Sequence, residues 1–206
     1  IHVEKPDQEA VPSRQFDISK IDFELLSREF AHTRRKNLLL RDLDELVNQQ
    51  LAKMLFANPQ RIDYYDRYQE IIDAYNAEQN RATIEKTFMD LMELASSLDT
   101  EQQRYVREGF SSDEELSVYD LLFSEKLTKQ EIETIKKVSV DLLTKIKQQI
   151  AKLDHWTDKQ ETKAIVDNLI RNTLWQELPN SYDVSDIQTY QKKIYEYVYM
   201  RYPEVA

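Results

Sequence analysis

Chemistry needs a nucleophile, a proton-transfer group, a metal cage or a phosphate cradle, so the residues that could supply these come first. His2, His32 and His155 lie far apart, with no cysteine to help and no HExxH spacing, which argues against zinc. His155 beside Trp156 stands where a helix should begin and reads as a cap or packing residue rather than a general base. Asp63, Asp66 and Glu70 recur at helical spacing and could be drawn as a metal cluster. Without histidine, on a face shared with Arg67, they read as a solvated stripe. A phosphate-cradling loop needs several glycines so that backbone N–H groups can approach the anion, and this chain has one, Gly109. The positioned serines are accounted for as helix caps. No catalytic residue, cofactor-binding residue or metal ligand is assigned.

Two sets of side chains suit binding instead. Lys129, Lys136 and Lys147 fall along one flank of an apolar helical stripe in a segment with six lysines and three acids. Lysines edging a buried face are commonly snorkelling stems. The alternative is a patch for DNA or an acidic partner. The second set is aromatic. Tyr195, Tyr199 and Tyr202 fall off the Ile187–Ile194–Val198 stripe of the last helix, in a terminal region that also holds Trp156, Trp175, Tyr182, Tyr190 and Tyr197. Aromatics clustered on one element are the usual substance of interface hot spots. Packing on a neighbouring helix is the plainer reading and stays open. HTRRK (His32 to Lys36) is a basic knot, read as a junction or solvated turn rather than a phosphate site.

The elements that must position these residues are helices. The most explicit runs from Thr128 to Leu153, with Ile132, Ile135, Leu142, Ile146, Ile150 and Leu153 at spacings of three, four and seven. Thr128 and Glu131 have the capping-box spacing, and so do Ser112 with Glu115, Thr157 with Gln160, and Ser185 with Gln188. Before these come a short helix starting near Ser19 or Asp22, one over about 37–57 ended by Asn58-Pro59, one over 61–76, and a long one over 81–108 capped by Asn80. Gly109 follows where a left-handed cap wants glycine. Helices after Thr157, to about Glu177, and after Ser185 complete the set, with Ile165, Leu169, Ile170, Leu174 and Trp175 expected inward on the first.

The expected fold is all-α, an irregular multi-helix bundle of about eight helices in two lobes: a linker over 1–16, a helical lobe over 17–110 and a C-terminal helical lobe over 111–206. A single glycine and the absence of Asn-Gly or Asp-Gly turns count against hairpins and sheets. The net charge of −10 disfavours nucleic-acid binding by bulk electrostatics. The lack of cysteine fits a reducing cytosol, so the expected localisation is cytoplasmic. No apolar run approaches a membrane span, and no signal peptide is visible. The chain opens at Ile1 rather than Met, which predicts a piece of a longer protein.

DISKIDFELLSREF (Asp17 to Phe30), NPQRIDYYDRYQEIIDAYN (Asn58 to Asn76), EELSVYDLLF (Glu114 to Phe123) and HWTDKQETKAIVDNLIRNTLW (His155 to Trp175) together resemble the C-terminal part of the R subunit of type I restriction–modification enzymes. The likeness covers the chain from about residue 17, in the same order. It implies a parent with a nuclease domain and two helicase-like motor lobes that use ATP and Mg, assembled on a methyltransferase core of M and S subunits. None of the family's nuclease or ATP-binding motifs matches a position here, so no catalytic residue is carried over. The resemblance assigns this piece to supporting the motor lobes of the same subunit and docking them on the methyltransferase core; the net charge of −10 adds the expectation of weak or indirect DNA contact, and the lack of an apolar span that of no membrane. A DNA-channel element or a stand-alone helical adaptor are the alternatives.

Overall fold

The computed structural model describes residues 22–78 and 80–203. The expected linker over 1–16, the Ser19 start and His2 lie outside them. Among the described residues there are nine α-helices and no strand: α1 (Phe23–His32), α2 (Lys36–Ala57), α3 (Ile62–Ala77), α4 (Arg81–Gln102), α5 (Arg104–Arg107), α6 (Asp113–Leu122), α7 (Lys129–Ile150), α8 (Gln160–Glu177) and α9 (Val184–Arg201). The fold is all-α. A short 3-10 turn, Pro59–Arg61, joins α2 to α3.

Caps set most of the helix starts. Asp22 accepts from the Leu25 amide, Asn80 from Thr83, Ser112 from Glu115 and Thr128 from Glu131, each satisfying an otherwise orphaned N–H. At α7 the box is complete, because Glu131 accepts in return from the Thr128 amide at 2.8 Å. At α6 the return bond shifts by one residue: the Glu115 carboxylate takes the Ser111 amide at 2.7 Å.

The other two expected boxes require correction. α9 is capped by Asp183 with Asp186, two residues ahead of the expected Ser185 and Gln188, because a carboxylate accepts more strongly than a hydroxyl. Thr157 does not cap α8. That helix starts after Lys159 without a side-chain cap, and the Thr157 hydroxyl donates to the Pro203 carbonyl at 3.3 Å. The preceding residues turn, with His155 at φ 45°, and bring Trp156 inward.

The helix expected over 81–108 is interrupted at Gln103, which leaves the helical region with φ −91° and ψ 1°. No glycine or proline is present there. The break accompanies the Arg104 fork bonding across to α6. Gly109 then closes α5 at φ 84°, with its N–H on the Val106 carbonyl and the Phe110 N–H reaching back to Tyr105 at 2.8 Å. That pair of bonds is the Schellman arrangement, in which the left-handed position favours glycine.

Buried apolar side chains form two clusters. One runs from Phe30 to Leu98 and centres on Val47, Leu51, Phe88, Leu91 and Leu94, where α4 packs on α2 and α3. The other runs from Phe110 to Val198 and centres on Leu116, Ile135, Leu142, Ile146, Trp156 and Ile194, where α7 lies between α6 and α8 and α9 covers α6 and α8. On α7, the predicted Ile135, Leu142, Ile146 and Ile150 are buried and Ile132 is half-buried against the same cluster; the helix ends at Ile150, short of the expected Leu153, which is half-buried in the turn that follows. On α8, Ile165 and Trp175 face solvent rather than the core, a second correction. The helix turns Val166, Ile170, Thr173 and Leu174 inward instead, and Leu169 is partly buried. No helix among the described residues is long and apolar enough to cross a membrane.

Candidate docking site

The aromatic end of α9 is organised around Trp156, 1% exposed. Its indole N–H donates to the Tyr202 carbonyl at 2.6 Å, tying the turn before α8 to the end of α9. Tyr195 and Tyr199, one turn apart, meet the indole edge-on at 6.2 and 5.7 Å between centroids, with interplanar angles of 88° and 82°. Their rings stack on each other at 6.2 Å, and the Lys163 ammonium lies 5.7 Å from the Tyr199 ring. Each phenol thus has one side against protein, while Tyr199 keeps 39% of its surface open and its neighbour Met200 69%. Burial raises the Tyr195 phenol above its ordinary value, with the nearby Asp167 carboxylate acting in the same direction.

Tyr202 separates from the other two. Its half-buried ring packs edge-on against Tyr197 at 6.4 Å and under the Lys147 ammonium at 5.3 Å. Burial first, and the neighbouring Tyr197 and Glu114 next, push its phenol above the usual range. The structure therefore brings Tyr195 and Tyr199 together and places Tyr202 in another contact.

The three lysines of α7 divide in the same way. Lys129, the first residue of the helix, is exposed. Lys136 donates to the Glu108 carbonyl at 3.1 Å and pairs with the Glu108 carboxylate at 3.2 Å. Lys147 is bound to the Glu114 carboxylate. Burial alone would raise that carboxyl, but the bond and charge of Lys147, with Arg201 nearby, hold it below its ordinary value. Asp63, Asp66 and Glu70 are exposed along α3, and no group of three His, Cys, Asp or Glu able to hold a metal occurs among the described residues.

The strongest polar constellation joins the two apolar clusters. Arg61, 4% exposed, donates from Nε to Glu101 of α4 at 3.1 Å and from both Nη atoms to Asp113 of α6 at 2.9 and 2.6 Å. Arg104 does the same in mirror fashion, reaching Glu101 at 3.2 Å and Asp120 of α6 at 3.0 and 2.5 Å. Asn58, fully buried, adds a bond from Nδ2 to Asp120 at 2.7 Å. The Ser117 hydroxyl lies 2.9 Å from the Ala57 carbonyl. Bidentate guanidinium–carboxylate pairs are directional as well as strong, so they fix the angle between α4 and α6. Burial lowers the Arg61 guanidinium, but its bonds to Asp113 and Glu101 outweigh this and leave it above its ordinary value.

No motif spacing in the sequence marks this joint, although a signal for it exists. Arg61 stands three residues before Tyr64 on the Tyr64–Tyr68–Ile71–Tyr75 stripe, and Glu101 three after Leu98 on the α4 stripe. A charge in register with a buried stripe must find a partner.

This arrangement can position helices and offer an aromatic surface. No curated protein and no solved structure matches the chain. A family described as type I restriction enzyme HindI endonuclease subunit-like, C-terminal, matches residues 9–202, and by that match over nearly its whole length the chain belongs to this family.

Proposed function

We propose that the chain is a non-catalytic assembly and coupling module that docks the motor lobes of its own subunit onto the methyltransferase core formed by M and S subunits. One observation carries the reading: Tyr195 and Tyr199 are held rigidly against a buried Trp156 yet left partly open beside an exposed Met200. Rigid aromatics with one free face lose little side-chain entropy on contact, which is what an interface anchor needs. In this reading ATP and magnesium act in other parts of the parent subunit, which works in the cytoplasm, and the polar joint transmits load between the two apolar clusters. The Lys129–Lys136–Lys147 flank gains little support as a DNA channel, since Lys136 and Lys147 are engaged with Glu108 and Glu114.

The test is co-purification of the full subunit with the methyltransferase core. Tyr195→Ala/Tyr199→Ala should lose the complex, and Tyr199→Phe should keep it. Near-UV circular dichroism of each variant checks that Trp156 stays packed. A double variant that retains native dichroism and still co-purifies and restricts DNA normally refutes docking through α9.

A further inference from the structure

Apart from the aromatic end and the polar joint, one concavity among the described residues carries the opposite charge to the chain as a whole. It is a cleft of about 650 Å³ where the end of α1 meets the starts of α2 and α4, lined by Thr33, Arg34, Arg35, Lys36, Arg81 and their neighbours, with no carboxylate in its lining. Beside the lining, the Glu85 carboxylate is already taken: Lys36 donates to it at 2.6 Å and Arg81 at 3.3 Å. Four cations against one acid leave a local excess of about three positive charges in a chain of net charge −10. Arg34 and Arg35 are exposed and make no ion pair among the described residues.

The cleft is also anchored. Lys36 sits 5.0 Å over the Phe30 ring, which stacks on Phe88 at 3.6 Å, so the basic turn is pinned to the first apolar cluster. Four side-chain cations carry the argument, and the N-terminus of the 22-residue helix α2 adds potential of the same sign.

We infer that this cleft binds the phosphodiester backbone of a nucleic acid, without reading its sequence. A nucleic-acid backbone presents phosphate oxygens at close, regular spacing, and each arginine fork can take a pair of them. No aromatic ring lines the cleft to stack a base, so contact is confined to the backbone. The basic turn read from sequence as merely solvated thus becomes the anion-binding surface, in place of the α7 lysines. The inference does not depend on docking through α9.

The test is fluorescence anisotropy of a labelled 20-base-pair duplex with the 206-residue chain, from about 50 to 200 mM salt. Arg34→Gln/Arg35→Gln is compared with a charge-matched control, Lys53→Gln/Lys152→Gln. Losing two phosphate contacts should lower the salt slope by about 1.8, so the wild type should lose about twelvefold more affinity than the arginine variant across that range. Arg34→Lys/Arg35→Lys should keep most of the binding, and the control should match the wild type. Absence of wild-type binding at the lowest salt overturns the inference. So does a control as weak as the arginine variant, or a polyglutamate peptide that displaces the duplex at equal charge concentration, which would make the cleft a site for acidic protein.

Discussion

Arg61→Met removes the guanidinium from the joint while keeping most of the stem. Three N–H donors disappear, one on Glu101 and two on Asp113. Glu101 keeps Arg104 at 3.2 Å, whereas Asp113, about a third exposed at its side chain, recovers some water. Removing one partner of a buried ion pair costs about 3–5 kcal/mol, and these two reliefs place the expected loss near the lower end, about 3 kcal/mol. For a chain of this size that is a fall in melting temperature of roughly 6–12 °C. Arg61→Lys keeps the charge but loses the fork and should fall about halfway. Urea unfolding followed by both far-ultraviolet dichroism and tryptophan fluorescence is the assay. Fluorescence is weighted toward the cluster around Trp156, while dichroism reports every helix. In the wild type the two transitions should coincide, and in Arg61→Met they should separate, because the bonds from Arg61 to α6 are gone. A loss below about 1 kcal/mol with coincident transitions would mean that the joint contributes little, and the reasoning would fail.

Four further outcomes follow. Gly109→Ala meets no atom within 4 Å, so its cost should be conformational alone, about 1–2 kcal/mol by thermal melting, with Gly109→Asn losing less. Thr128→Ala should cost about 1 kcal/mol through the lost α7 cap, read from the same melts. Glu114 is held below its ordinary 4.5, so its stabilisation is present above that value and is lost as pH falls through the lowered folded value. Acid unfolding of Glu114→Gln should therefore be shallower than that of wild type below about pH 4.5. At the other end, Tyr68, Tyr182 and Tyr202 are all raised chiefly by burial. Their protons leave the unfolded chain first, so stability should fall as pH rises beyond 10, and alkaline absorbance titration should show these phenols ionising only on unfolding.

The helices were legible because their signals are local. The α7 stripe, the Thr128 box, the Asn80 cap and the glycine stop at 109 each act within a few residues, where spacing and hydrogen-bond chemistry decide the outcome. The failures share a different cause. Trp175 looked inward because it is large and apolar, but α8 rotates to bury Val166, Ile170, Thr173 and Leu174 against its neighbours, leaving Trp175 about half exposed. Thr157 looked like a cap, yet the left-handed turn at His155 sends Trp156 under α9 and the helix begins two residues later than the box requires. At the candidate docking site, periodicity took Tyr195, Tyr199 and Tyr202 off the stripe together. Only the three-dimensional path shows that Trp156, some forty residues earlier, supports the first two while Tyr202 packs with Tyr197.

The joint lies beyond local rules because each charge in it is compensated from far away. Arg61 finds its carboxylates 40 and 52 positions on, and Asn58 finds Asp120 after 62. An apolar seam of the same area would hold the clusters with comparable affinity, but its contacts are non-directional and can re-form after α6 slips along α4. Paired guanidinium forks are directional. Displacement by one helical turn would leave several buried charges unpaired at once, and the low local dielectric makes that costly. For the proposed coupling role, this stiffness against sliding matters more than extra stability. Replacing Arg61, Glu101, Arg104, Asp113 and Asp120 together by apolar residues of similar volume should therefore cost only what the orphaned Asn58 amide costs, about 1–3 kcal/mol, since the other burdens and bonds vanish together. The same variant, placed in the full subunit, should still assemble on the methyltransferase core through α9 but translocate DNA less per ATP consumed. Equal translocation per ATP in variant and wild type would show that stiffness at this joint is not what the motor uses.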